Sequence, residues 1–511
     1  EDNGIAQSTP TRSTLSGDID QRMTGFGLPC RRLEIPDALE LAQIAQEETQ
    51  EIRNGSGPRV LWIRSVRLGP HSKGDDTRPQ EEIEQLRTQD PVERLMSRFS
   101  TRQCDQILES VQHQVEHAVA SAESAPFPEA ISSESLFGRD EQDGSQIWWG
   151  RTEPSLAPLD ADEPDETSHA ILEHEANRPL GKRLNAALHA ILEGDVSTHV
   201  LGEDIVDPYG GAFKITNGLS STFPERVHST PISEAAIVGL SGGMALGGVT
   251  PIAEIMFGDF LGLAMDQLVN HLALFRTMYD RQVKIPAIIR TPMGGRRGYG
   301  PTHSQTLDGR FLGITGLRVV APSSLHPVQT LLKHSLAHAF PTLWLENKRA
   351  YTERYRLDDD GLVDDFHVRH RDPDGAGWLV LSLSAFCDEE ATLIGYGGML
   401  APMKEAAKLL LIEDEISVRI LLPARLHPFD GQGLHRLCVP GEPVIAVEEG
   451  AAPYGFGSEI AALLAEQTPA LPFARVGAVP TAIAASRTLE DQILPDADTI
   501  RATVLSRLKS V

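Results

Sequence analysis

Cysteine is scarce: Cys30, Cys104, Cys387 and Cys438 are the only four in 511 residues, and no two have CxxC spacing. That speaks against a zinc site and fits reduced thiols in a cytoplasmic protein. No run approaches the ~20 apolar residues that span a bilayer. No signal peptide opens the chain either, so no membrane partner is expected. Positive charge is also short, with 46 Lys and Arg against 72 Asp and Glu and a net charge of −26. Such acidity argues against a nucleic-acid partner but leaves room for a local basic pocket that receives a phosphate. An initiator Met is missing as well, because the chain begins at Glu1. This suggests a fragment, a processed product or one half of a split enzyme.

What is present suits two to four packed domains, taking roughly 150 residues per domain. Residues 38–53 have the apolar spacing of an amphipathic helix that Asn54-Gly55 would end. The apolar run Val60–Val66 is expected to be a buried strand, and 80–119 to be helical with a charged surface. From 120 to 178 the chain is rich in Pro, Ser, Asp and Glu, which predicts a linker. Trp148-Trp149 within it is either an anchor on a domain or an exposed pair. From Pro179 onward strands and helices alternate. Expected strands are His199–Gly202, Pro251–Phe257, Ile285–Thr291, Leu317–Ala321 and Thr342–Glu346. A further unit carries Thr392–Tyr396, Ile416–Leu422, Pro443–Glu448 and Phe473–Val476. This alternation implies parallel sheets with helices on both faces.

Three segments carry residues suited to chemistry. In Thr230-Pro231-Ile232-Ser233-Glu234, Thr230 suits an N-cap and Pro231 the first helical position. Glu234 then falls in the first turn of an apolar helix. It is either a buried, usable carboxylate or an exposed one favoured by the helix dipole. In Gly300-Pro301-Thr302-His303-Ser304-Gln305, His303 follows a strand and the turn Met293–Gly300. That is the sheet edge where α/β folds bind ligands, and a His there can move protons near neutral pH. Arg296 and Arg297 in the same turn are either receptors for a substrate carboxylate or phosphate or solvated surface arginines. Arg67-Leu68-Gly69-Pro70-His71-Ser72 is a third strand end, with His71 placed to meet a ligand.

Together these segments resemble the E1 component of 2-oxoacid dehydrogenase complexes. Residues 179–511 are similar to an E1 β subunit. They carry Leu201-Gly202-Glu203-Asp204 with Gly210-Gly211-Ala212-Phe213, Arg226–Glu234 for RVxDTPISE, Glu254–Phe260 followed by Asp266-Gln267 and Asn270, and His303-Ser304-Gln305. Residues 1–119 are similar to the C-terminal part of an E1 α subunit, with Arg67–Asp76 for its RLGPHSxxDD loop and Pro79–Leu95 continuing the match. Glu1-Asp2-Asn3-Gly4-Ile5-Ala6 resembles ENNxYxIS, the end of the thiamine-diphosphate motif. Asp2 departs from that motif, and its opening GDG is absent.

The resemblance implies an α/β fold of three-layer parallel-sheet domains of transketolase type. These would be a partial cofactor domain (1–119), a linker (120–178), a pyrimidine-binding domain (179–375) and a transketolase C-terminal domain (376–511). It implies thiamine diphosphate (ThDP) and Mg²⁺ as cofactors. Glu234 would bond the aminopyrimidine and favour the tautomer that takes the thiazolium proton. Phe260 would stack on the pyrimidine, and Arg67 and Ser72 would contact the diphosphate or its loop. Asn3 and the main-chain oxygen of Ile5 would ligate the metal. His303 and His71 would donate to, or carry protons for, substrate and intermediates. Glu203 and Asp266 would form an acidic link between paired sites.

The implied partners are a companion chain carrying the GDG half and a lipoyl domain or lipoylated carrier protein, in a dimer of heterodimers. The implied reaction is decarboxylation of a 2-oxo acid and transfer of the acyl unit to the lipoyl group. Two alternatives stay open. One is a hybrid of pyruvate dehydrogenase and transketolase that moves a two-carbon ketol unit from a ketose phosphate to a lipoylated carrier. The other is a non-catalytic E1-like subunit.

Overall fold

Asp37 stops one segment and starts the next: its carboxylate accepts from Leu39 N (3.1 Å) and Glu40 N (3.0 Å), capping helix α1 (Ala38–Arg53). The computed structural model describes residues 1–6, 9–71, 76, 78–126, 173, 175–358, 360–370, 377–383, 388–467 and 471–509. It divides into two compact units, Glu1–Ala130 and Ile131–Val511. Ser72, Cys387, Trp148, Trp149 and most of the expected linker lie outside the described residues. No described helix is long and apolar enough to cross a membrane.

In the first unit α1 links β1 (Cys30–Glu34) to β2 (Val60–Arg64), which pair in parallel. Leu33, Ile44 and Trp62 are buried between them. β1 escapes a reading of the sequence because four of its five positions are not buried, so no apolar run marks it. Asp2 adds to the free edge of β2: its N–H donates to the Ile63 carbonyl (2.8 Å) and its own carbonyl accepts from Ser65 N (3.0 Å). Residues 80–119 are helical, but in three pieces: Gln80–Arg87, Pro91–Met96 and α2 (Thr101–Ser124). Asp90 with Pro91 and a Ser100–Gln103 capping box set the breaks. α2 runs past the expected linker start at 120, because Ala120 and Ala122 are strong helix formers.

The second unit opens with α3 (Leu180–Gly194), whose Leu180, Leu184, Leu188 and Ile191 line one buried face. A seven-stranded sheet follows. Its strands are β3 (Thr198–Gly202), β4 (Val227–Ser229), β5 (Thr250–Glu254), β6 (Ile288–Met293), β7 (Arg318–Val320), β8 (Thr342–Asn347) and, arriving late in the chain, β13 (Arg425–His427). Their spatial order is β13-β7-β8-β6-β5-β3-β4, all parallel except β13. Helices α4 (Glu234–Leu246) and α5 (Val328–Ala337) make two of the crossovers.

The second sheet holds β9 (His367–His370), β10 (Trp378–Ser382), β11 (Ala391–Gly395), β12 (Val418–Pro423), β14 (Val444–Ala451) and β15 (Phe473–Ala478), in the order β9-β10-β12-β11-β14-β15. Its last four strands are parallel, and β9 and β10 form an antiparallel edge. The edge strand β9 lies ahead of residue 375, and its His370 pairs with Leu379 on β10. All nine strands expected after Pro179 are present. Their ends shift by up to three residues, as for Pro251–Phe257, which stops at Glu254.

Candidate active site

Five parallel strands deliver their carboxyl ends to one edge of the first sheet. Glu203 follows β3, Glu234 follows β4, Phe257 and Phe260 follow β5, His303 follows β6, and Lys348 follows β8. The chain leaves β3 for β4 on one side and returns to β5 on the other, so the order reverses at β3. Crevices at such reversals are where open α/β sheets bind ligands.

Glu234 is the first residue of α4 and is 7% exposed. The helix starts later than the sequence suggests. Ser233, in extended backbone at φ −163°, is the N-cap, and Thr230-Pro231 stay outside. The carboxylate therefore sits at the helix's positive end itself. No described residue hydrogen-bonds it. Glu203 is 4% exposed. Burial pushes its carboxyl up, and the charges of Glu234, Asp204 and Glu254 push it further.

Behind them lies a buried ion triad. Arg290 on β6 donates to Glu346 through Nε (3.0 Å) and Nη2 (2.6 Å), and to Glu254 through Nη1. The Tyr351 hydroxyl also donates to Glu346.

The Phe257, Phe260 and His303 rings form a compact aromatic group. His303 meets Phe257 edge-on at 4.7 Å and Phe260 at 5.1 Å. Its Nδ1 lies 2.9 Å from the Thr302 hydroxyl. Gly258 permits this turn, since a Cβ there would lie 2.2 Å from Met293 Cγ. Asp259 accepts from Gln305 N (3.2 Å) and Nε2 (3.0 Å), joining the two loops.

Arg296 is turned away from the anion-receiving role. At φ +63° it sends its guanidinium to Asp491 (2.7 Å) and the Pro495 carbonyl (2.7 Å), while its N–H donates to Glu490 (2.6 Å). It latches the loop to the last domain. Arg297 is exposed and gives one bond to the Lys348 carbonyl (2.7 Å), so it stays available to an anion. Arg296→Ala should lower stability by about 1–2 kcal/mol, one partly exposed pair and one hydrogen bond, with KM unchanged. Arg297→Ala should raise the KM of an anionic substrate roughly tenfold at an unchanged melting midpoint. Thermal melts alongside steady-state kinetics on both variants would check this. Asp266 lies on the surface: its exposed carboxylate accepts from Asn270 Nδ2 (2.8 Å) and sits 3.3 Å from His271 Nε2.

In the first unit, Arg78 clasps the base of the Arg67–Asp76 loop. It bonds the Arg67 carbonyl (2.9 Å), the Gly69 carbonyl (3.4 Å) and the Asp76 carboxylate (2.8 and 2.7 Å). Hydrogen bonding to Arg78 holds the Asp76 carboxyl down to about 2. Arg67 Nε and Nη2 are buried with no partner among the described residues. His71, further along, is exposed. Asn3 Oδ1 accepts from Ile5 N (3.1 Å). Burial pushes the Asp2 carboxyl up, but bonds from Gly4 N (2.8 Å) and Arg64 (2.7 Å) outweigh it and hold the group below its usual range.

Three family models cover most of the chain: "Dehydrogenase E1 component" over residues 1–131, "Transketolase, pyrimidine binding domain" over 178–353, and "Transketolase, C-terminal domain" over 387–500. The pyruvate dehydrogenase E1 component subunit beta of Leifsonia xyli is 31% identical over 330 residues, covering 64% of this chain and 93% of that protein. The chain belongs to the thiamine-diphosphate-dependent E1 family of 2-oxoacid dehydrogenases. The 3-methyl-2-oxobutanoate dehydrogenase subunit beta of Mycobacterium tuberculosis is 30% identical, over 60% of this E1 chain and 84% of its own length. The acetoin:2,6-dichlorophenolindophenol oxidoreductase subunit beta of Bacillus subtilis is 29% identical, over 64% and 96%. Among solved structures, a split-gene transketolase in an inactive β4 tetramer shares the fold. Its TM-score is 0.50 at 22% identity, over 64% of this chain and 97% of that one.

Residues of this E1 chain fit thiamine diphosphate. In the second unit Glu234 offers a buried carboxylate that no described residue hydrogen-bonds, and Phe260 an aromatic face, both suited to an aminopyrimidine; in the first unit, taken by itself, Arg67 offers two buried donors with no partner among the described residues, suited to a diphosphate. Lys348, Asp259 and the Arg290 triad went unassigned from sequence. The only signal for Lys348 is a charge directly after an apolar strand, a position it shares with Glu203.

Proposed function

We propose that this E1 chain takes part in decarboxylating a 2-oxo acid and passing the acyl unit to a lipoyl group on a carrier domain. The observation that supports it most is the meeting of Glu234 and Glu203 with the Phe257–Phe260–His303 group at one sheet edge. Thiamine diphosphate, when bound, supplies the electron sink for carbon dioxide loss. Glu234 takes one end of a proton-sharing hydrogen bond to the aminopyrimidine. The burial that keeps water away also strengthens that bond. Phe260 covers an aromatic face, and His303 faces the substrate, where it donates to or carries a proton for the reacting oxygen. His71 is a second donor and Arg297 the receptor for the substrate carboxylate. Arg67 takes a diphosphate oxygen, and Ser72 is assigned to the same loop.

Asn3 and the main-chain oxygen of Ile5 serve a Mg²⁺ ion. Asn3 Oδ1 has one lone pair engaged by Ile5 N and another available. Asp2 is a loop clamp rather than a ligand, since Arg64 and Gly4 engage its carboxylate. The lipoyl dithiolane accepts the acyl unit as its S–S bond is reduced to a thioester and a thiol. The working assembly is a heteromer with a dimeric core.

The test uses the purified assembly with ThDP and Mg²⁺. It is offered pyruvate, branched 2-oxo acids and, separately, ketose phosphates, and carbon dioxide and reduction of an artificial acceptor are read. Carbon dioxide from a 2-oxo acid, with matching acceptor reduction, is the expected result. Reduction driven by a ketose phosphate without carbon dioxide would overturn the proposal in favour of ketol transfer. Bound ThDP with no turnover of any donor would point to a non-catalytic subunit.

A further inference from the structure

Besides the Arg296 and Arg297 contacts, residues outside the His303 loop, 294–306, tie it down at three further points. Glu449 accepts the Gly295 N–H (2.5 Å) and the Asn347 amide (2.5 Å). Asp259 holds Gln305 through its main chain and side chain. Between them, the Lys348 ammonium donates to the carbonyl of His303 itself at 2.5 Å. Lys348 has no solvent exposure, so this bond is made without competing water. The same ammonium lies 5.2 Å from the Phe257 ring centre and 5.8 Å from that of Tyr299. Phe257 in turn packs on the His303 ring. The Lys348 carbonyl takes the Arg297 guanidinium from the same loop, and its N–H is fixed to the Met293 carbonyl (2.9 Å) on β6.

An apolar residue would fill this space at lower desolvation cost. A lysine is warranted because the His303 carbonyl takes its ammonium and the Asp259 carboxylate favours a positive charge there. Asp259 Oδ2 is buried with no hydrogen-bond partner among the described residues.

We infer that Lys348 is a positioning residue for the reaction, holding His303 at the substrate through a charge-assisted bond to its main chain. This rests on the reading of His303 as a catalytic group. The ionic groups that face Lys348 are Asp259, Glu449 and Glu490, which favour its charged form, and Arg297, which opposes it. Burial is the largest influence and pushes the ammonium down to about 8. Above that pH the charge that strengthens the tether is lost, so kcat should decline on an alkaline limb while substrate affinity holds.

The experiment compares wild type, Lys348→Met and His303→Ala in the ThDP-loaded assembly, and adds tryptic cleavage after Arg296 and Arg297 at pH 7.5 as a readout independent of turnover. Lys348→Met is expected to speed that cleavage at least tenfold and to lower kcat roughly tenfold to a hundredfold, the scale of an ångström of misplacement. KM should stay within about threefold, and the alkaline limb should vanish. A cleavage rate equal to wild type overturns the tether. Faster cleavage with wild-type kcat, while His303→Ala is inactive, overturns the positioning role. If His303→Ala is fully active, it is the catalytic reading of His303 that has failed, and cleavage alone then decides whether Lys348 holds the loop.

Discussion

Glu234→Gln is expected to lower turnover of the 2-oxo acid by about a hundredfold to ten-thousandfold, the usual worth of a positioned acid–base group, while ThDP still binds. The glutamine keeps the size and one hydrogen-bonding oxygen of the side chain, so the pocket at the start of α4 stays filled. It cannot share a proton across the bond to the cofactor ring. Calorimetric titration with ThDP, run beside carbon dioxide release, separates the two effects. Equal losses of binding and turnover would make Glu234 a binding residue only. A variant with more than a tenth of wild-type activity would remove it from the reaction.

The same substitution should register at Glu203. Burial is what chiefly raises that carboxyl, and the Glu234 charge is one of the neighbours that add to it. With Glu234 neutral, part of that push disappears, and Glu203 should lose its proton at lower pH than before. A pH profile of residual turnover, or infrared difference spectra of the protonated carboxyl band, would read the change. No change in either would place the two carboxylates too far apart to act together.

Local patterning made most of the second unit legible. Its parallel strands are buried on both faces and appear as short apolar runs between helices, so all nine expected after Pro179 exist. β10 and β13 are not among those nine. Trp378–Ser382 is a short apolar run behind the turn residues Asp372-Pro373-Asp374-Gly375, a local signal that marks a strand but that the expected set leaves out, whereas Arg425–His427 joins the first sheet from far along the chain, a pairing no local pattern encodes. At the site, the motifs singled out Glu234, Glu203, Phe260 and His303 as residue types, and the sheet brings all four to one edge because each follows a parallel strand. Arg296 and Asp266 were legible as charges but not as to their use. Arg296 is committed to Asp491 and Pro495, 195 and more positions away, and Asp266 to its own helical turn. Lys348 was invisible as a tether because its partner is a main-chain carbonyl, which has no sequence signature.

The Arg290 triad carries the largest expected effect on stability. Arg290→Met should cost about 3–5 kcal/mol, the scale for removing one member of a buried charge pair. Arg290 is 2% exposed, and both its partners are as deeply placed, Glu254 at 5% and Glu346 at 1%. Methionine fills much of the space but leaves two carboxylates facing each other across β6, with only Tyr351 donating to Glu346. The pH dependence has a definite sign. Burial already raises the Glu254 carboxyl, while Arg290 pulls it back down. Without the guanidinium the folded-state value rises further above the unfolded one. A carboxyl so raised stabilises the fold below its unfolded pKa, and that contribution is lost as pH climbs through the folded value. The variant's deficit should therefore be smallest near pH 5 and grow toward pH 8.

Urea melts of both proteins at the two ends of that range would measure it. The triple variant Arg290→Met/Glu254→Gln/Glu346→Gln should recover part of the loss, because no charge is then stranded. A deficit under 1 kcal/mol that does not change with pH would mean that water reaches the carboxylates. Glu254 also lies against the turn that follows Glu203: a Cβ at Gly211 would sit 3.3 Å from its Oε1. Weakening the triad should therefore also loosen the crevice in which Glu203 and Glu234 meet. Turnover in Arg290→Met is expected to fall with stability near pH 8 and to recover toward pH 5 less completely than the fold does, since catalysis needs the crevice's geometry as well as its survival.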